Sequence, residues 1–146
     1  MIRVSSKLLN VAAILSSCGW AALFGIDLFV VINCYDGNIT VPIGLVGSAV
    51  LFYLWLRRTL RPAVSQAPAL SSMVFSVFQC IVFLTETRAF KFMYLMNRKG
   101  LSHDDAHVIA SRYFGELFPA LALVVGFFSA IVFFCDTKKA NEIPSA

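Results

Sequence analysis

The sequence predicts an all-α fold: an integral membrane four-helix bundle whose third and fourth helices extend beyond the bilayer as a helical hairpin. Three observations predict it. Hydrophobic residues fill 59% of the 146 positions, charged residues only 14%, and mean hydropathy is +0.80, far outside soluble norms. The apolar residues are gathered into four runs, each about the ~20 residues a helix needs to cross a ~30 Å hydrocarbon core. Short polar connections join the runs, so one transmembrane domain over 1–146 is expected, with helices near 8–34, 39–60, 68–97 and 103–136.

The first helix rests on "VAAILSSCGWAALFGIDLFVVI" (11–32), interrupted only by Asp27. Arg3 and Lys7 precede it, as basic residues precede a secretory signal. The run continues well past a signal's short apolar core, so a retained helix is expected. No acid occurs among residues 1–26, which leans toward mitochondrial import.

The second run, "ITVPIGLVGSAVLFYLWL" (39–56), has no charge. It follows the turn "CYDGNITVP", with Pro42 near the helix start, and ends in the cationic, proline-containing link "RRTLRPAVSQAP". The third run, "APALSSMVFSVFQCIVFL" (67–84), contains one Gln and no charge, and then continues as "TETRAFKFMYLM". There Phe83, Phe90 and Tyr94 fall near one helical face, with Glu86 and Lys91 off it. The turn comes at "NRKG" (97–100). Twelve extra helical residues project the hairpin by roughly 18 Å.

Ser102 is placed to cap the next helix, with Asp105 completing a Ser-x-x-Asp capping box and Asp104 and Asp105 favoured by the helix dipole. The fourth run, "LFPALALVVGFFSAIVFFC" (117–135), contains Pro119, which is expected to kink its helix by clashing with the Gly115 carbonyl.

Four crossings put both termini and the 57–68 link on one side, with Arg3, Lys7, Arg57, Arg58, Arg61, Lys138 and Lys139. The other side holds Arg88, Lys91, Arg98, Lys99 and Arg112. Seven cations against five favour both termini on the inside face. In lipid, helices associate through small residues and polar contacts. The candidates are Ala13, Ser17, Ala21 and Gly25 on the first helix and Gly44 and Ser48 on the second. Ser72, Ser76 and Cys80 serve the third helix, and Gly115, Pro119, Ala122, Gly126 and Ala130 the fourth.

Asp27 is an ionisable group within a span, and such groups are expensive unless they face a partner or a wet cavity. The topology brings Glu86, Arg88, Arg112 and Glu116 to the same end. The expectation is an ionisable cluster in which Asp27 pairs with Arg88 or Arg112.

His103 and His107 share a helix face, the spacing of some metal-binding pairs, but no third ligand follows by motif, and capping explains their acidic neighbours. They are a weak candidate metal site. Cys18, Cys34, Cys80 and Cys135 form no Cys-x-x-Cys pair. Glu116-Leu-Phe-Pro119 looks similar to the Glu-x-x-Pro of the small glutathione-binding membrane enzymes. Tyr113 and Ile109 stand where that stretch carries Asn and Arg, and it opens the last helix rather than the second, so membership is not claimed.

No phosphate loop or activated nucleophile appears, no cofactor is called for, and the dispersed cations do not make a nucleic-acid surface. The expected function is therefore non-catalytic: an accessory subunit in the lipid bilayer that packs against other membrane subunits or copies of itself, with a mitochondrial inner-membrane complex as one home. The hairpin, through Phe90, Phe92, Tyr94, Arg98 and Lys99, is its expected docking element. The alternative is a small, possibly oligomeric transporter or membrane enzyme handling a lipid, quinone, proton or other small substrate near Asp27 and Glu116.

Overall fold

A computed structural model of the chain describes residues 6–34, 37–60, 67–111 and 117–141, with the backbone alone at residue 6 and over 136–141. Among these residues there are five α-helices and no strand: α1 (Ser6–Cys34), α2 (Thr40–Leu60), α3 (Ala67–Lys99), α4 (His103–Ser111) and α5 (Leu117–Asn141). Four of them are long and apolar enough to cross a membrane, over Lys7–Cys34, Thr40–Leu60, Ala67–Lys99 and Leu117–Cys135. The chain is an all-helical, multi-pass membrane protein, as its four apolar runs predict.

Local chemistry sets the helix ends. Asn38 accepts the Thr40 N–H on its side-chain Oδ1 at 3.1 Å, a turn that starts α2. Pro42 then stands in the first turn of α2, where a missing N–H leaves no bond unmade. At the tip of the hairpin Gly100 takes φ +63 just past α3, a left-handed conformation that stops the helix. The Leu101 N–H reaches back to the Leu95 carbonyl at 3.3 Å. Ser102 caps α4 as expected: its Oγ accepts the Asp105 N–H at 3.3 Å and donates to Asp105 Oδ2 at 2.6 Å.

In the bundle α1 packs against α2, α3 and α5, and α3 lies along α5, while α2 touches α3 lightly and does not meet α5 among the described residues. Trp20, Leu23, Trp55, Phe83, Val125 and Val132 fill the interior. The α2–α3 contact needs Gly47, since a Cβ there would fall 2.0 Å from Phe75 Cζ. The α3–α5 contact needs Gly126, whose Cβ would fall 2.2 Å from Ser76 Oγ.

The predicted small-residue strip on α1 is buried at one end only. Ala13 and Ser17 are buried, but Ala21 is half-buried and Gly25 is exposed. A row of every fourth residue advances about 40° per step around a 3.6-residue helix, so position 25 has turned about 120° away from position 13. Pro119 and Ala122 are buried and Gly126 half-buried on α5; Gly115 lies outside the described residues. Pro119 is the third residue of α5, in its first turn, and the carbonyl it was expected to displace is likewise outside the described residues. The helix expected over 103–136 is described as two helices, α4 and α5, flanking residues 112–116.

The hairpin forms, with a small core of its own. Leu95, Ala106 and Ala110 are buried between α3 and α4, with Phe92, Met96 and Leu101 packed around them. It does not stand clear of the bundle by 18 Å, however. On the α1 side the contacts advance from Asp27 to Asn33, six residues or about 9 Å of axis; on α3 they advance from Gln79 to Arg98, nineteen residues or about 28 Å. The two side chains cannot bridge that difference, so the distal part of α3 runs obliquely across the C-terminal end of α1.

Candidate functional site

Two features offer chemistry: a buried carboxyl between α1, α2 and α3, and a cleft between α1, α3 and α5.

Asp27 is only 5% exposed. Its Oδ2 accepts the Ser48 hydroxyl at 2.8 Å and the Gln79 side-chain N–H at 2.7 Å. Gln79 is fully buried, and its Nε2 also approaches the Gly44 carbonyl at 3.4 Å. Three helices therefore meet on one carboxylate oxygen. Gly44 makes room: a Cβ there would lie 3.3 Å from Gln79 Nε2 and 3.4 Å from Asp27 Oδ1. Gln79 Oε1 is buried without a hydrogen-bond partner among the described residues.

Among the described residues, no charged side chain of the expected cluster is bonded to this acid. Its partners are neutral, and the α3 residue that reaches it is Gln79. Glu86 and Arg88 follow Gln79 by seven and nine residues, about 10 and 13 Å further along α3, and Arg88 is exposed. Arg112 and Glu116 lie outside the described residues. Gln79 was discoverable as the single strongly polar residue of the third apolar run, because polar groups in lipid seek one another.

Other polar contacts also join the helices. The Trp55 indole N–H donates to Ser72 Oγ at 2.7 Å between α2 and α3. Ser129 and Ser16 approach at 3.4 Å between α5 and α1.

The cleft has a volume of about 520 Å³. Its α1 wall runs from Ala22 and Gly25 through Ile26 and Phe29 to Val30 and Cys34, and Phe118 of α5 closes one side. Among the described residues its polar side chains come from α3: Thr87, Lys91 and Tyr94, with Phe90 between them. The Thr87 hydroxyl donates back to the Phe83 carbonyl. Asp27 does not line the cleft, although its neighbour Ile26 does. Lys91, placed by the sequence off the aromatic face, shares the cleft with Phe90 and Tyr94.

The expected docking residues divide. Phe90 is buried at 6%, and Phe92 packs into the hairpin core, edge-on to His103 and His107. Phe90 thus belongs to the bundle core, and Phe92 helps hold the hairpin together. Tyr94 is half-buried against Phe29, with ring centroids 5.8 Å apart. Lys99 is exposed, and Arg98, also exposed, donates from Nε to Asn33 Oδ1 at 2.6 Å. On α4 the sequence reading passed over Val108 and Ile109, which are 50% and 44% exposed.

The His103 and His107 rings stack 6.5 Å apart, and His103 Nδ1 lies 3.5 Å from Asp104 Oδ1. Among the described residues no group of three His, Cys, Asp or Glu side chains is placed to hold a metal ion.

Fold and site together define a polytopic helical bundle with a closed polar knot and an open apolar cleft. Comparison with protein-family models, curated proteins and solved structures finds no match to this chain.

Proposed function

We propose that the chain is a non-catalytic structural or accessory subunit that packs against other membrane proteins, in a complex of the inner mitochondrial membrane. The observation that carries this reading is the bonding of Asp27. The only acid within the four apolar runs is committed to neutral side chains of two neighbouring helices and is shut away from the cleft. That arrangement fixes helix positions, as interhelical polar contacts in lipid do, and leaves the carboxyl without access to a substrate. Outward apolar rows such as Val46, Val50 and Tyr53 on α2 and Leu123, Phe127 and Phe134 on α5 are available to lipid or to partner helices. On the hairpin, Lys99, Val108 and Ile109 make the stronger docking candidates, since Phe90 and Phe92 face inward. The acid-free, basic N-terminus supports the mitochondrial home, and the cation count supports both termini on the inside face.

The test is the native mass of the protein extracted in mild detergent, with co-migrating polypeptides identified. Migration with a fixed set of other membrane proteins is expected. Migration alone, or as a small homo-oligomer, defeats the accessory-subunit reading. The cleft favours the second reading, a small transporter or membrane enzyme handling a lipid or quinone; such chemistry would belong to the Lys91 cleft and not to Asp27.

A further inference from the structure

We propose that Asp27 and Gln79 form a proton-binding site: in the folded bundle Asp27 is a neutral acid that donates to the Gln79 carbonyl, and joining α1 to α3 takes up one proton from water. The inference does not depend on whether the protein works in a complex or alone.

The first argument is an acceptor that lacks a donor. Gln79 is fully buried, and its Oε1 has no hydrogen-bond partner among the described residues. Buried polar atoms in that state are rare and costly. The same amide already holds Asp27, with Nε2 donating to Oδ2 at 2.7 Å. The remaining oxygens of the two groups, Gln79 Oε1 and Asp27 Oδ1, each lie 3.4 Å from the point where a Cβ of residue 44 would stand, so they border the same small space. An ionised carboxyl offers only acceptors there, whereas a neutral acid offers one O–H. With the proton on Oδ1 the acid and the amide pair reciprocally, each donating once and accepting once. Turning the amide over does not remove the requirement. It would set Gln79 Oε1 at 2.7 Å from Asp27 Oδ2, and two oxygens that close need a proton between them.

The second argument is charge. Ser48 and Gln79, which hold Asp27, are both neutral. Asp27 stands seven residues inside the end of α1, about 10 Å of axis, where a lone charge is expensive. Among the described side chains, the ionisable groups nearest in sequence to the knot bring it no cation. Cys34 ends α1, Tyr53 lies five residues past Ser48 on α2, and Cys80 adjoins Gln79 on α3. Glu86 and Arg88 lie about 10 and 13 Å beyond Gln79 along α3, and α5 offers Cys135 at its far end.

The third argument is the number of ligands. A hard metal ion needs about six oxygens, and a proton needs two. Gln79 Nε2 already approaches the Gly44 carbonyl, and the Ser48 hydroxyl is spent on Asp27, which leaves the two oxygens Oδ1 and Oε1. Loss of the proton would set these two acceptors against each other and leave a charge in the apolar layer. The contact of α1 with α3 at this level is therefore proton-dependent.

The test is infrared spectroscopy of the purified full chain in phosphatidylcholine vesicles, because the C=O stretch of a protonated carboxyl stands apart from the carboxylate and amide bands. At neutral pH one such band is expected. It should move to lower frequency when aspartate is labelled with carbon-13 in the side-chain carboxyl, and vanish in Asp27→Asn. Gln79→Leu removes a donor to the acid's carbonyl, so the band should shift to higher frequency. Asn reproduces the neutral acid atom for atom, with an N–H for Gln79 Oε1. Asp27→Asn should therefore keep the thermal transition at neutral pH, and alkaline buffer should lower the transition of the native chain more than that of the variant. If Asp27→Asn fails to fold, the Gln79→Leu shift decides. A folded native chain without the labelled band at neutral pH, a band that persists in Asp27→Asn, or an unshifted band in folded Gln79→Leu overturns the proposal. A band present in choline buffer and lost on adding sodium chloride overturns it in favour of a metal-ion site.

Discussion

Gln79 of α3 donates to Asp27 of α1 at 2.7 Å across the bundle interior, and the two residues are 52 apart in the chain. Ser48 of α2 donates to the same oxygen, so the loss of either donor leaves the carboxyl with one bond fewer. Interhelical hydrogen bonds in membrane proteins contribute about 0.6 kcal/mol on average and at most about 1.7. Ser48→Ala should fall in that range. Gln79→Leu should cost more, about 1–3 kcal/mol, because it leaves the buried carboxyl with the Ser48 bond alone and also removes the contact to the Gly44 carbonyl. Replacing Asp27 and Gln79 together by Leu should cost less than the two single changes added, since both polar groups leave at once. Denaturing-detergent titrations of the native chain and the four variants measure this, and a Gln79→Leu variant as stable as the native chain would remove the structural role assigned to the knot.

Two glycines are spacers, and each has a partner whose trimming should restore the fit. Gly47→Ala drives a methyl into the Phe75 ring, and Gly126→Ala drives one into Ser76 Oγ. Overpacking of this kind costs about 1–3 kcal/mol. Phe75→Leu shortens the side chain and should recover much of the Gly47→Ala loss; Ser76→Ala should recover part of the Gly126→Ala loss. Thermal unfolding of singles and pairs in one detergent gives the comparison, and strict additivity would mean that these contacts do not set the helix spacing.

How far the sequence could be read depended on how local each signal was. Four runs of about twenty apolar residues are visible without knowing any contact, because the bilayer imposes their length. Ser102 and Asp105 were readable for the same reason: both partners of the cap lie within one helical turn. The rotation of each helix was not readable. In a soluble bundle polar residues mark the outer face, but here lipid-facing and protein-facing sides are both apolar, so Gly25 and Gly47 look alike in the sequence while one lines an open groove and the other meets a phenyl ring. The expectation for Asp27 ranked Arg88 by charge and end of the bundle, whereas depth decides who can reach a buried group, and the α3 residue that reaches it is Gln79.

The hairpin cap should behave as a local device. Ser102→Ala removes the acceptor for the Asp105 N–H and the donor to its carboxylate, a change that typically costs about 1 kcal/mol. Because α4 packs on α3 alone among the described helices, the loss should stay within the hairpin. Amide hydrogen exchange should quicken at Asp105 and Ala106 while the bundle's thermal transition is unchanged. A matching fall in the transition would mean that the hairpin and bundle unfold as one unit.

The hairpin's inclination over α1 makes the most demanding prediction, because it sets Asn33 beside Arg98. If α3 continued straight away from the bundle, the axial advance beyond Gln79 would exceed that of α1 beyond Asp27 by about 19 Å. The bond from Arg98 Nε to Asn33 Oδ1 at 2.6 Å excludes that geometry. The bond itself is exposed and worth little, so Arg98→Ala should change overall stability by no more than about 1 kcal/mol. Position is the sharper readout. In a chain whose four native cysteines are replaced by Ala, Asn33→Cys with Arg98→Cys should be joined efficiently by a short thiol-reactive linker in membranes. Only a hairpin lying across the end of α1 brings those two positions within its span, so failure to cross-link in a folded protein would mean that the hairpin stands upright and that the cleft beneath it loses its Lys91 and Tyr94 wall.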